Sequence, residues 1–111
     1  MASSEVIIGG TGGPIAHAGG PYDILVGQPL MLDASGSTGP IDVYMWDLNN
    51  DGMSDRTSQD PVLVLSYIDV EALICLAPCT PNTPYPITLT VIGPGGQDED
   101  TSTVTVHPPG S

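Results

Sequence analysis

The 111 residues are enough for one domain and too few for two independent hydrophobic cores. Thirteen acidic residues face a single cation, Arg56, giving a net charge of −12, and such a surface repels phosphate backbones and anionic membrane faces, which excludes nucleic-acid partners. No apolar run approaches the ~20 residues of a membrane helix, and with Phe absent the core falls to Val, Ile, Leu and Met.

The chain opens in linker composition, Gly9-Gly10-Thr11-Gly12-Gly13-Pro14, and closes in Pro108-Pro109-Gly110-Ser111. The expected division is a flexible linker over 1–13, one domain over 14–107 and a second linker over 108–111, as for a module cut from a longer protein. Met1-Ala2-Ser3-Ser4 lacks the charged-then-apolar order of a signal peptide.

Within the domain, short runs rich in Val, Ile and Thr are separated by Gly, Pro, Asn and Asp, and no segment shows a helical period. Ile15 to Ala18 and Tyr22 to Val26 read as an edge strand broken at Gly19-Gly20-Pro21, with Tyr22 at the surface. Leu30, Leu32 and Ala34 form the inward row of a second strand. A third runs from Asp42 to Leu48, with Tyr44, Trp46 and Leu48 on its buried face and Asp47 and Asn49 on the other. Ser54 to Ser58 reads as a short polar edge strand, and Pro61 to Ile68 as a nearly continuous apolar one. Tyr85, Ile87, Leu89 and Val91 alternate with Pro86, Thr88 and Thr90; Pro94-Gly95-Gly96 turns the chain back into Ser102 to Val106. The run Asp98-Glu99-Asp100 reads as a solvated hairpin tip. About seven antiparallel strands make the expected fold an all-β, immunoglobulin-like β-sandwich with an insertion between the fifth and sixth strands.

Several of these segments carry a resemblance. Gly19-Gly20-Pro21-Tyr22, Val26-Gly27-Gln28, Leu32-Asp33-Ala34-Ser35-Gly36-Ser37, Tyr44-Met45-Trp46-Asp47 through Asp51-Gly52, and Tyr85 through Val91 resemble, in order, the PKD (polycystic kidney disease-type) domain. The resemblance spans roughly Ile15 to Val106. It implies a non-catalytic immunoglobulin-like module of extracellular proteins that acts as a spacer, adhesion unit or accessory binding domain, with calcium bound in some members. Two departures stand out. A short Thr38-Gly39-Pro40-Ile41-Asp42 replaces an acidic loop before the Trp strand, which removes carboxylates from a calcium site of the family's type. An insertion of about sixteen residues, Asp69 to Pro84, precedes the Tyr strand, and long loops on rigid scaffolds often carry function.

Asp47, Asn49, Asp51 and Asp55 follow the spacing D-x-N-x-D-G-x-x-D, the opening of an EF-hand calcium loop. Position twelve, where a bidentate Glu belongs, is Ser58, so Asp60 or Asp42 would have to complete the cradle. The other reading needs no metal: Asn50-Asp51-Gly52 is a hairpin turn held by Asx hydrogen bonds. Cys75 and Cys79 read as a small disulfide loop provided the chain turns at Pro78; the alternatives are two free thiols or half of a zinc site, the latter poorly served by His17 and His107 near opposite ends of the chain. Trp46 belongs to the core rather than to a sugar platform, and Tyr85 sits where sandwiches keep a tyrosine whose hydroxyl bonds main chain. No Ser, His or carboxylate spacing suggests nucleophilic catalysis.

The expected function is therefore a non-catalytic extracellular or cell-surface module, monomeric in isolation and not inserted in a membrane. It would be a spacer or an adhesion and protein-interaction domain whose partners are other domains of the parent protein or extracellular protein and glycan. The alternative is an accessory polysaccharide- or protein-binding module of a secreted hydrolase.

Overall fold

The computed structural model describes residues 13–76 and 79–108, so both the 1–12 stretch and the expected turn at Pro78 lie outside the described residues. Among these residues seven strands form where the sequence alternates or runs apolar: β1 (Tyr22–Leu25), β2 (Leu30–Asp33), β3 (Val43–Asp47), β4 (Arg56–Ser58), β5 (Val62–Leu65), β6 (Pro84–Gly93) and β7 (Gly96–His107). They pack as an all-β immunoglobulin-like sandwich, a five-stranded sheet ordered β1-β7-β6-β3-β4 against the two-stranded sheet β2-β5.

One pairing departs from the expected antiparallel set: β1 runs parallel to β7, from Tyr22 opposite Val104 to Leu25 opposite His107. Hairpins impose antiparallel neighbours, and these two strands come from opposite ends of the domain with no hairpin between them. Elsewhere the period of two decides the layers. Leu30 and Leu32 of β2, Tyr44 and Trp46 of β3, Leu65 of β5, Ile87, Leu89 and Val91 of β6, and Val104 and Val106 of β7 are all buried. Each such aliphatic contributes ~1.5–3 kcal/mol through burial. Trp46 is 0% exposed, which sets aside a sugar-stacking role, and its Nε1 has no hydrogen-bond partner among the described residues.

The first predicted strand is realised differently. Ile15 makes a single bridge to Thr38, and the rest of Ile15 to Ala18 pairs with side chains instead of a strand. Ala16 N–H donates to Asp98 Oδ2 at 2.9 Å and Ala18 N–H donates to Asp100 Oδ2 at 2.7 Å. The acidic run is thus no solvated tip. It lies inside β7, and period two puts Asp98 and Asp100 on the same inward face as Val104 and Val106, where main-chain donors meet them. Tyr22 is half-buried rather than exposed, its hydroxyl donating to Ala18 C=O at 2.6 Å and accepting Asp33 N–H at 2.9 Å. Gly19 has φ +73, and a Cβ there would press on both Asp33 O and the Tyr22 hydroxyl, so the bend that delivers Tyr22 requires glycine.

The Asp69–Pro84 insertion is not simply a surface loop, and it contradicts the expectation of no helix. Ser66 Oγ accepts Asp69 N–H at 3.2 Å and starts a short helix, α1 (Tyr67–Asp69), which continues as a π-helical segment, Val70–Cys75. Val70 and Ile74, four residues apart, are buried in the core. The pattern was too short for a helical period to register. Leu76 ends it at φ 56, and a Cys75–Cys79 disulfide with Cα atoms 4.8 Å apart closes the loop, removing both thiols from zinc or free-thiol chemistry.

Candidate functional site

The hairpin from β3 to β4 gathers the acidic motif. Asp47, Asp51 and Asp55 offer carboxylate oxygens that all lie within 4.8 Å of one another. Asp47 is the last residue of β3 and is buried, an expensive position for a carboxylate that requires donors. It finds them in its own turn: Oδ2 accepts Gly52 N–H at 2.8 Å and Oδ1 accepts Asp51 N–H at 3.2 Å. Asn49 Oδ1 shares that Asp51 N–H at 3.2 Å, Asp51 Oδ1 accepts Met53 N–H at 2.9 Å, and Asp55 Oδ2 accepts Leu48 N–H at 2.9 Å. Asn50 and Gly52 take positive φ of 57 and 91, which curls the main chain around these oxygens.

The hydrogen-bonded Asx turn and the metal-type cluster are therefore one arrangement. Three carboxylates converge, while the only cation of the chain, Arg56, turns away: its Nη2 is 3.5 Å from Asp69 and its Nη1 donates to Asp55 C=O at 3.1 Å. The carboxylates of Asp42 and Asp60 do not join this group. Both oxygens of a carboxylate can accept a second partner, and Asp51 Oδ2 and Asp55 Oδ1 accept no hydrogen bond among the described residues. The donor set, all oxygen and anionic, fits a hard divalent cation such as calcium, with water completing the six to eight ligands such an ion takes.

Beside the loop lies a polar hollow of about 320 Å³ on the outer face of the five-stranded sheet, lined in part by Asp47, Asn50, Thr88, Thr90 and Glu99. Register explains it. Asp47 stands opposite Thr88, Met45 opposite Thr90, and Thr90 opposite Glu99, so the wet faces of β3, β6 and β7 meet in two short rows. Thr88 Oγ1 donates to Asn50 Oδ1 at 3.0 Å, tying the loop to the sheet. Glu99 was missed because its neighbours along the chain are acidic, whereas its neighbours across the sheet are threonines.

The remaining candidates have structural contacts. His107 Nε2 is 2.9 Å from Asp23 Oδ1 and its Nδ1 is 2.9 Å from Asn82 Oδ1, an exposed link between β1 and β7. His17 N–H donates to Ser37 Oγ at 2.8 Å. Tyr85 hydroxyl accepts Thr80 N–H at 2.7 Å, the main-chain bond expected of it.

No protein-family model matches the chain, and no curated protein matches it. Solved structures do. One is Dscam1 isoform 9.44, N-terminal four Ig domains, with zinc: TM-score 0.58 and 15% identity, covering 93% of this chain and 23% of that one. Another is Down Syndrome Cell Adhesion Molecule isoform 1.30.30, N-terminal eight Ig domains: TM-score 0.56 and 15% identity, covering 96% of this chain and 15% of that one. A third, Dscam1 isoform 1.9, aligns at TM-score 0.54 and 13% identity, over 93% of this chain and 23% of that one. The chain spans less than a quarter of the length of each. At this identity the likeness establishes the architecture, and the chain is an immunoglobulin-like β-sandwich.

Proposed function

We propose that the chain is a non-catalytic, extracellular module of PKD type that acts as a spacer or protein-interaction domain of a larger protein, with calcium stabilising its β3–β4 hairpin. The observation that carries the reading is the immunoglobulin-type sandwich, in which Tyr44 and Trp46 are consumed by the core. Tyr22, Tyr67 and Tyr85 are half-buried too, which favours the spacer reading over a stacked sugar ligand. The Cys75–Cys79 disulfide suits an oxidising compartment, and domains of known cell adhesion molecules share the fold.

Calcium is proposed at Asp47, Asp51 and Asp55 with Asn49 as neighbour, because the three carboxylates converge and none of them forms an ion pair among the described residues. Bound there, the ion would neutralise their mutual repulsion and clamp the end of β3 to the start of β4. Two measurements test the proposal. Incubation with insoluble cellulose, chitin and collagen leaves the chain in the supernatant, whereas retention overturns the spacer reading in favour of a substrate-binding module. Titration calorimetry gives calcium heat, and an absence of heat together with an unchanged melting temperature in millimolar calcium rejects the metal.

A further inference from the structure

The two-stranded sheet has an edge that nothing in the described residues covers. Among the described residues β5 pairs with β2 alone, in the register Leu30↔Leu65, Met31↔Val64, Leu32↔Leu63 and Asp33↔Val62. Ala34 N–H donates to Pro61 C=O at 2.8 Å, which sets the alternation of this antiparallel ladder. Leu32 with Leu63 and Leu30 with Leu65 are then the hydrogen-bonded pairs, and the N–H and C=O of Met31, Asp33, Val62 and Val64 point away from the ladder. The Asp33 groups bear this out, because both meet the Tyr22 hydroxyl, which closes the β2 edge at that point. The Val62 and Val64 groups meet no partner among the described residues.

The side chains around this edge are also unusual for an exposed strand. Met31 and Val64 stand directly opposite each other on the outer face and are 60% and 62% exposed, and Val62 follows at 38%. Edge strands are normally protected by Lys, Pro or an inward charge, and β5, Val-Leu-Val-Leu, carries none of these within its length. What flanks it is acidic: exposed Asp33 lies across from Val62, and exposed Asp60 lies two residues before it.

We infer that β5 is a docking edge that takes an extended segment of a basic partner protein as an added strand. Main-chain groups of Val62 and Val64 would supply the ladder, and the outward residues of the added strand would share one face with the Met31–Val62–Val64 strip and with Asp33 and Asp60, apolar ones over the strip and a Lys or Arg at the acidic end. Charge selects the occupant. A second copy of this chain brings another −12 and no Lys, whereas a cationic strand is drawn to the same rim. The inference rests on the protein-interaction reading of the module and adds the face and the chemistry of the partner.

The test uses the full 111-residue chain and a capped heptapeptide, Lys-Thr-Val-Thr-Val-Thr-Lys, whose Val and Lys side chains all fall on one face of a strand. A version N-methylated on every second residue keeps the charge and loses the strand donors. Wild type binds the first peptide and not the second, with amide exchange slowed at Val62 and Val64. Val64→Pro removes an outward N–H at a position where an edge tolerates proline, and Val64→Lys adds a protecting charge; each weakens binding by about tenfold or more while the melting transition persists. Equal binding of both peptides, or binding unchanged in Val64→Pro, overturns the edge and leaves the module reading intact, because the partner then sits on another face. No binding of either peptide overturns the edge as well. Sedimentation of the chain alone provides the last arm: a dimer abolished by Val64→Lys assigns the edge to a second copy and overturns the basic partner.

Discussion

The hydroxyl of Tyr22 meets the main chain of Asp33 across eleven residues of sequence, accepting its N–H at 2.9 Å while donating to Ala18 C=O at 2.6 Å. One phenol therefore ties the entering chain, the edge of β2 and the start of β1, which belong to different layers of the sandwich. Tyr22→Phe leaves both main-chain groups without that partner and should cost about 1–3 kcal/mol in chemical denaturation. Tyr22→Leu should cost more, since the ring is half-buried.

The same residue makes stability fall in alkali. Burial, opposed by the Asp33 hydrogen bond and reinforced by the Asp33 charge, raises the Tyr22 pKa above its ordinary value near 10. A raised folded-state pKa means that this contribution is complete below the unfolded value and is lost as pH climbs from about 10 through the folded value. Denaturation midpoints should thus fall across that window, and Tyr22→Phe should flatten part of the fall, leaving the share of Tyr67, whose pKa is also raised, chiefly by desolvation.

Asp98 and Asp100 act as strand partners for Ala16 and Ala18. Replacement of either by Ala should destabilise the fold by roughly 1–3 kcal/mol, because a charge-assisted bond to a main-chain donor is lost. Asn keeps an acceptor oxygen and should lose less. Amide exchange at Ala16 and Ala18 reads the effect directly, and unchanged exchange in Asp100→Ala would show that the carboxylate does not hold Ala18.

Calcium at 100 times its dissociation constant should add about 2.7 kcal/mol, a rise in melting temperature on the order of 10 °C. Asp51→Asn is the discriminating variant: Asn can still accept Met53 N–H, so the turn survives while one anionic ligand is gone. The shift should shrink sharply in Asp51→Asn, and a full shift there places the ion elsewhere.

The Cys75–Cys79 bridge closes a very short loop, so its removal by Cys75→Ser with Cys79→Ser should cost only about 2 kcal/mol in the chain-entropy account. The damage should concentrate in the Tyr67–Cys75 helical segment, because Val70 and Ile74 are what that segment buries. Intact mass after alkylation without reductant checks the bridge itself: no alkyl group should add.

Much of the fold was legible in the sequence. Tyr44, Trp46, Ile87, Leu89, Val91, Val104 and Val106 were placed inward by alternation and are buried, and the insertion falls between β5 and β6. The acidic loop was also legible, since Asp47, Asp51 and Asp55 meet within a single hairpin. Asp98 and Asp100 were misread for a reason of the same kind: their inward parity was visible, but the main-chain donors that receive them are 82 residues away. Glu99 and Thr90 share a hollow through register alone.

The sequence by itself determined the two-layer β class, the inward rows and the oxygen-rich hairpin, because side-chain period and turn chemistry act over a few neighbouring residues. Only the tertiary structure decided that β1 runs parallel to β7, that Tyr22 seals one edge of the small sheet and that, among the described residues, β5 leaves the other open. Those outcomes depend on which strands become neighbours, and long-range pairing is settled by packing the whole core rather than by any local pattern.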